Sequence, residues 1–356
     1  MTPSATHRAA AAAPTGSGGP RRAPEGAPGG ARRRPGARPL PALVAALLVG
    51  VLSGCSAFGY DPTPLPPTAP PPAASSAPPA APVRCEDPLR SYAPQGRLPA
   101  PDALPTGSTM ARIRARGRLV AGVSADTYLL GFRNPLTGQI EGFDIDMVKA
   151  VTRAIFGDEN RYQLRVITAA DRIPLLRAGE VDLVARNMTI TCDRWTQIAF
   201  STEYYRSGQK VLVRRGARSA TLASLAGRRV CAPRGTSSME NLRAKTTAVP
   251  VEADSHTGCL VLFQQGQVDA ITGDDTVLAG LAAQDPYAVV PKQTAFTSEP
   301  YGLGMNAQNV DLVRFVNARL EQMRENGEWT ALYNRWLAAP LGRAPAPPRP
   351  AYGRTR

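Results

Sequence analysis

The sequence predicts an α/β fold built as two similar lobes, and three observations carry that prediction. Apolar strand-like runs alternate with helical periodicity between residues 118 and 186, a β-α-β rhythm that implies a parallel sheet. A second series of the same kind runs from 210 to 275. The phrases AGEVDLVARN at 178–187 and QGQVDAITGD at 265–274 share one helix-turn-strand layout, the mark of two lobes of like construction rather than of a tandem repeat.

The folded body is expected to begin near Ile113, with a strand at 118–123 and then a loop. A helix over 143–156 follows, because Ile145, Val148, Val151 and Ile155 recur at helical spacing and bury one face. Asp144 and Asp146 stand two apart and do not share a face, so they read as first-turn partners of the helix dipole, not as a general acid/base pair. A strand at 163–167, a helix at 172–178 and a strand at 181–186 complete the first unit. The second is expected as a strand at 210–214, a short helix at 222–225 and a strand at 228–232. The turn Arg234-Gly235-Thr236-Ser237-Ser238 then opens a helix to about 245, followed by a strand at 249–252, a helix at 258–265 and a strand at 270–272 that leads into Asp274 and Asp275. The chain returns through 289–290 and 298–305 and closes with helices over 310–326 and 329–337.

The ends differ from the middle. Of a formal charge of +14 on 356 residues, six units lie in residues 1–39 and four in 341–356, which leaves +4 for 40–340. The excess therefore sits in segments too poor in apolar residues to fold, and a nucleic-acid partner is not expected. The tail 341–356 is expected to be disordered and basic. The apolar run 40–52, LPALVAALLVGVL, is shorter than the roughly 20 residues a transmembrane helix needs, and it reads as the core of an export signal. It ends in Leu52-Ser53-Gly54-Cys55, which resembles the bacterial lipoprotein cleavage box. Cleavage there would make 1–54 the signal peptide and Cys55 a lipidated N-terminus, whose diacylglycerol supplies the two chains that stable anchoring takes. The alternative is an uncleaved signal anchor with a chance cysteine. Residues 55–112 then form the lipidated start, a tether and an N-terminal extension. The run PTPLPPTAPPPAASSAPPAAP favours an extended, hydrated chain.

With Cys55 assigned to lipid, Cys85, Cys192, Cys231 and Cys259 remain, and an even remainder in an exported chain points to two disulfides with three connectivities open. A metal site is not expected, since no CxxC occurs and His256 is the only histidine beyond the leader.

The most informative stretch is 185–205, ARNMTITCDRWTQIAFSTEYY. An apolar strand ends at Asn187, Thr189-Ile190-Thr191 follows, and a helix starts with Thr191 as cap candidate, Asp193 in the first turn and Arg194 just after. Hydroxyls, main-chain N–H groups and a guanidinium are thereby offered to one carboxylate. The pattern MTIT-x-x-R followed by FS-x-x-YY-x-x-GQ resembles the amino-acid-binding family of ABC-transporter solute receptors, the family 3 extracellular solute-binding proteins. GFDIDMVKA, YYRSGQKVLV, LAGRRVCAPRGTSS, GQVDAITGDD, EPYGLGM and LVRFVNARLEQMRENGEW extend the resemblance from about Leu119 to Trp336.

The resemblance implies a two-lobed periplasmic-binding-protein-like fold of type II, with a ligand cleft between lobes joined by two crossover strands. Lobe one is expected at 113–205 plus 296–340 and lobe two at 206–295. Position in that fold favours Cys231 with Cys259, and Cys85 with Cys192. A zwitterionic amino acid needs a cation for its carboxylate and a carboxylate for its ammonium in a cleft that excludes water. The resemblance gives Arg194 the ligand carboxylate, assisted by Thr189 and the Asn187 turn, and gives Asp274 the ammonium, with Asp275 second. Thr236 would add a hydroxyl and main-chain contacts; RGTSS lacks the Lys and glycine spacing of a phosphate loop. Asp126, Tyr128 and Arg172 lie in loops that the resemblance aims at the cleft. Arg172, Arg186 and Arg234 could pair with a side-chain carboxylate, which puts glutamate or aspartate first and keeps glutamine and asparagine open.

The function expected is a lipid-anchored receptor on the outer face of the membrane, monomeric and without cofactor, that delivers an amino acid to an ABC permease. The same receptor could report to a membrane signalling protein. A third reading is an enzyme like the cyclohexadienyl dehydratases of this fold. That chemistry wants an acid/base group in the cleft, and His256, ahead of the Cys259 helix, is expected to be exposed.

Overall fold

The computed structural model describes residues 85–217, 221 and 223–355. The signal segment, the cleavage box at Cys55 and the Pro/Ala-rich run lie outside the described residues.

Two five-stranded sheets form the frame. In the first, β1 (Leu119–Val123) lies between β5 (Tyr162–Val166) and β6 (Leu183–Ala185), parallel to both. Between β1 and β5 the chain makes a small antiparallel meander, β2 (Asp126–Thr127), β3 (Gly131–Arg133) and β4 (Ile140–Glu141), where the sequence suggests only a loop. The sheet is completed by β7 (Ile198–Phe200) and by a strand returning from far along the chain, β15 (Gly304–Asn306), in the order β5-β1-β6-β15-β7. Strands β1 and β6 are almost wholly buried, as continuous apolar runs in a sheet covered on both faces should be.

The chain leaves this lobe through β8 (Tyr205–Ser207) and enters the second with β9 (Gln209–Arg214). There β10 (Arg229–Pro233), β11 (Val249–Ala253) and β12 (Ala270–Asp274) are parallel, β9 runs antiparallel to β12, and β13 (Ala288–Val289) closes the edge, in the order β11-β10-β12-β9-β13. The return strand β14 (Glu299–Tyr301) pairs antiparallel with β8. Each sheet thus has three parallel strands of its own and one antiparallel strand adjoining a crossover. The disulfide Cys231–Cys259 ties β10 to a helix of the second lobe.

Ten helices among the described residues cover these sheets. The first, α1 (Thr109–Arg116), is capped by Ser108 and begins ahead of the expected start at Ile113, burying Met110 and Ile113. Helix α2 (Phe143–Phe156) buries most of its residues, Asp144 and Asp146 included. Then come α3 (Arg172–Arg177) and the four-residue α4 (Cys192–Trp195) in lobe one. Lobe two holds α5 (Ser237–Lys245), α6 (His256–Gln264) and α7 (Asp275–Gln284). Finally α8 (Val310–Glu325), α9 (Glu328–Trp336) and α10 (Ala338–Leu341) return to lobe one, where Trp329 and Tyr333 join the core around Phe143 and Tyr204.

The tail departs from expectation. Residues 343–355 are ordered against lobe one: Tyr352 bridges to Ser91 and donates to Glu321, and the Arg354 guanidinium lies 3.7 Å from the Trp195 ring centre. Composition suggests disorder because it counts apolar residues. The tail is held instead by main-chain pairing, one aromatic ring and a cation over an indole. It meets the N-terminal extension, itself tied down by the disulfide Cys85–Cys192 and by the Trp195 indole N–H donating to the Pro88 carbonyl at 2.8 Å.

Candidate functional site

At the carboxyl ends of β6, β10 and β12 the two lobes face each other across a narrow space lined by Arg172, Asn187, Thr189, Arg194, Thr236 and Asp274, with Ser237, Ser238 and His256. The space enclosed is about 10 Å³. By the same measure, the room left for the centre of a water-sized sphere, a single water needs about 10 to 15 Å³, so an amino acid reaches these residues only when the lobes part.

Lobe one supplies the cations. The Thr191 hydroxyl caps α4 by accepting from the Arg194 main-chain N–H at 3.2 Å, which sets the turn that presents Arg194. Its guanidinium is buried and donates to the Thr189 carbonyl at 2.7 Å and, across the cleft, to the Gly235 carbonyl at 3.3 Å. Arg172 opens α3 and donates to the carbonyls of Ala169, Arg186 and Gly235. Neither guanidinium has a carboxylate within salt-bridge distance among the described residues. Burial first, then the charges of Arg194 and Arg186, pulls Arg172 well below its ordinary value, and burial likewise lowers Arg194. Two desolvated cations held only by carbonyl oxygens are a seat for an anion.

Asn187 sits at φ 36°, a rare backbone for a side-chain-bearing residue. Its N–H donates to Asp144 at 2.8 Å, and the other Asp144 oxygen accepts from the Tyr204 hydroxyl at 2.7 Å. Burial raises the Asp144 carboxyl to about 6. Asp144 is therefore more than a dipole partner of α2: it holds the turn that begins the MTIT motif. Asp146 is buried on the same helix, where it accepts from the Trp336 indole N–H at 2.7 Å and lies beside the cations Lys149 and Arg335.

Lobe two supplies the anion. Asp274 ends β12 and accepts from the Tyr301 hydroxyl at 2.7 Å through one oxygen, while its Oδ1 has no partner. Burial, then the charge of Glu299, pushes its carboxyl up to about 7. Asp275 is occupied at the crossover by Ser207 and Lys210. The Thr236 hydroxyl caps α5, accepting from the Met239 N–H at 3.1 Å and donating to Pro233, so its contribution to the cleft is structural. Gly235 has φ +70°, and a Cβ there would lie 2.8 Å from the Ala170 Cα of the other lobe.

Of the expected residues, Asp126 and Tyr128 do not line the space. The meander β2–β3 carries them to the seam between the lobes, where the Asp126 carbonyl accepts from the Thr257 hydroxyl at 2.9 Å and the Tyr128 carbonyl lies against Gly280. Burial opposes the Asp126 charge, but hydrogen bonds from Ser255, Ser124 and Thr257 and the charge of Arg186 outweigh it and hold the carboxyl below its usual range. Arg186 is buried with its Nε on the Ile167 carbonyl, whereas Arg234 is exposed and paired with Asp254 and Glu252. Three residues escape the sequence reading. Ser237 and Glu299 bond to each other at 2.6 Å, with Glu299 also accepting from Thr189 at 2.8 Å. His256, expected exposed, is buried at 8% and lines the space. A histidine capped by Ser255 at a helix start has no periodic signal; only the topology brings that end of α6 beside β12.

Two α/β lobes joined by a pair of crossover strands, closing on buried cations from one side and a buried carboxylate from the other, define a two-lobed solute receptor of the periplasmic-binding-protein type. Residues 119–339 match the profile of the Bacterial extracellular solute-binding proteins, family 3, and the chain belongs to that family. It is 35% identical to the ABC transporter glutamine-binding protein GlnH of Bacillus subtilis (strain 168) over 232 residues, 64% of this chain and 84% of that protein. With the Glutamine-binding protein of Geobacillus stearothermophilus it shares 39% identity over 199 residues, 55% of this chain and 76% of the relative. Among solved structures, holo ArgBP from T. maritima superposes with a TM-score of 0.57 at 28% identity, covering 64% of this chain and 98% of that one. An ancestral arginine-binding protein bound to glutamine gives 0.58 at 29% identity, over 62% and 98%.

Proposed function

We propose that this chain is the receptor of an ABC amino-acid importer, held to the outer face of the membrane through a lipid on Cys55, and that it captures glutamate, aspartate or their amides between its lobes. The observation that carries this reading is the pairing of Arg194 with Asp274: both are buried, they come from opposite lobes, and they face one enclosed space. A zwitterion satisfies both at once, its carboxylate on Arg194 and the Thr189 turn, its ammonium on the bare Asp274 Oδ1. Contacts to both lobes favour the closed form, which is the form a permease could recognise. The names of the relatives support an importer over a signalling role.

His256 in the cleft is the one observation that favours an enzyme of the dehydratase kind. Burial, then the charge of Arg186, lowers the ring to about 4, which makes it a weak base. We therefore read it as a contact. Titration calorimetry of the purified chain against the common amino acids tests the proposal. Binding is expected, with Arg194→Ala weakening it by about 30-fold or more, since removing one side of a desolvated charge pair costs about 2 to 5 kcal/mol. No heat from any amino acid, together with turnover of a cyclohexadienyl acid, would replace receptor by enzyme.

A further inference from the structure

We infer that Glu299 is a positioning residue of the receptor: it takes the hydroxyl hydrogens of Thr189 and Ser237, one from each lobe, so that both oxygens meet the ligand as acceptors, and it places a second negative charge near Asp274. The inference rests on the receptor reading above and deepens it.

Glu299 is 2% exposed and does not itself line the cleft. Its strand, β14, is knitted to the MTIT turn of lobe one by main-chain bonds: the Ile190 N–H donates to the Pro300 carbonyl at 2.8 Å and the Gly302 N–H to the Met188 carbonyl at 3.0 Å. Its side chain also reaches the start of α5 in lobe two. Oε2 accepts from the Thr189 hydroxyl at 2.8 Å and from the Ser237 hydroxyl at 2.6 Å. Oε1 accepts from the Thr297 hydroxyl at 2.6 Å and from the Asn241 amide at 3.4 Å. The carboxylate thus collects donors from lobe one, lobe two and the crossover at one point.

A hydroxyl has one hydrogen and two lone pairs, whereas a carboxylate oxygen only accepts. With both hydrogens on Oε2, the 3.1 Å contact between the Thr189 and Ser237 oxygens has no hydrogen to share. Both oxygens line the cleft, so they can receive hydrogens from a ligand and give it none. An ammonium brings three hydrogens and a carboxylate brings none. Glu299 thereby sorts the two ends of a zwitterion: the ammonium belongs with these hydroxyls and Asp274 Oδ1, the carboxylate with the Arg194 guanidinium. Released from Glu299, the hydroxyls could turn their hydrogens to either end.

Glu299 and Tyr301 stand two apart on β14 and point to the same face, and the Tyr301 hydroxyl donates to Asp274. Asp274 is also faced by Asp275 from α7 and Arg172 from α3, and it shares its lining with Arg194 and His256. Tyr204 and Tyr205 lie near it and are kept neutral by burial, while Glu240 of α5 acts on the two arginines. Among the charges, Glu299 opposes the ionisation of Asp274 most, Asp275 adds to it and Arg172 works against it. Asp274 must be ionised to hold an ammonium, so loss of the Glu299 charge should let it do so at lower pH.

The test is calorimetry on the full chain with glutamine, glutamate, asparagine and aspartate between pH 8 and 5.5, for the wild type, Glu299→Gln and Glu299→Asp. Glu299→Gln keeps an acceptor oxygen for the two hydroxyls and removes the charge. The pH at which affinity begins to fall should move down by about half a pH unit or more. Glu299→Asp keeps the charge but falls one methylene short of the hydroxyls, so it should bind about tenfold or more weakly at pH 8 and lose affinity over the same pH range as the wild type. Each variant answers alone if the other does not fold. An unmoved pH profile in Glu299→Gln, wild-type affinity in Glu299→Asp, or an equal weakening of both at every pH, as lost packing alone would give, overturns the role of Glu299 and leaves the receptor intact. Absence of binding to the wild type by all four amino acids overturns the receptor reading and this role with it.

Discussion

Asp274 is asked to hold an ammonium with an oxygen that nothing in the protein satisfies, and this has a consequence in pH. Burial is the largest reason its carboxyl lies at about 7, followed by the charge of Glu299, with Asp275 adding and Tyr301 and Arg172 opposing. A carboxyl raised in the folded state favours the fold below the unfolded value near 4 and loses that contribution as pH rises to 7. A bound ammonium reverses the preference, because it favours the charged form. Affinity should therefore fall as pH drops below 7, approaching about tenfold per unit, and binding near neutrality should release protons measurable as a buffer-dependent heat. Asp274→Asn should bind weakly at pH 8 and show a flat profile from 8 to 5.5; a wild-type affinity unchanged over that range would remove Asp274 from the ammonium. That Arg194, Thr189 and Asp274 come to one space was legible, because the motif marks the turn and helix start after β6 and the topology marks the end of β12. His256 and Glu299 were not, since a single polar residue can be buried or exposed without changing any periodic pattern.

At the scale of the element, α4 is the weak member of the site. Four residues do not make a helix that holds itself, and nucleation is costly even in long ones. Its outer side is braced by parts of the chain that lie beyond the stretch of family similarity: the disulfide from Cys85 to Cys192, the Pro88 carbonyl on Trp195, and Arg354 over the Trp195 ring. Arg194 sits between the two braced residues. Replacing Cys85 and Cys192 together by Ser should cost about 2 to 4 kcal/mol of stability, because the bridge closes 107 residues of chain. Ending the chain after Gly342 should cost less stability but weaken ligand binding several-fold by loosening the Arg194 turn. Chemical denaturation separates the first effect and calorimetry the second; full affinity in the shortened chain would show that the tail braces nothing of consequence. The parallel strands and long helices were legible from apolar runs and spacing. The clasp was not, because it is assembled from single residues far apart in sequence, and neither was the β2–β3–β4 meander, whose strands are two or three residues long.

For the whole molecule, the enclosed space is too small for any amino acid, so binding and lobe motion are one process. The closed arrangement is held by few groups: Arg172 and Arg194 on the Gly235 carbonyl, Glu299 between Thr189 and Ser237, and the Thr257 hydroxyl on the Asp126 carbonyl. At Gly235 the two main chains approach closely beside the cleft, and this allows closure to be tested apart from chemistry. Gly235→Ala adds a methyl that would lie 2.8 Å from the Ala170 Cα, a clash with backbone that exists only while the lobes are together. It also carries the strain of a non-glycine residue at φ +70°, of order 1 kcal/mol, in either arrangement. Gly227→Ala, in the same lobe at φ +69° with nothing within 4 Å of its Cβ, has that strain without the clash. If closure on the ligand produces affinity, Gly235→Ala should bind about tenfold or more weakly than Gly227→Ala, since the competent state becomes a smaller fraction of the population. Its radius of gyration under saturating ligand, measured by small-angle scattering, should stay at the larger value of the parted lobes. Equal affinities for the two variants would mean that the ligand is held by one lobe alone, and that the carbonyl shared by Arg172 and Arg194 is a contact of packing and not part of the closing step.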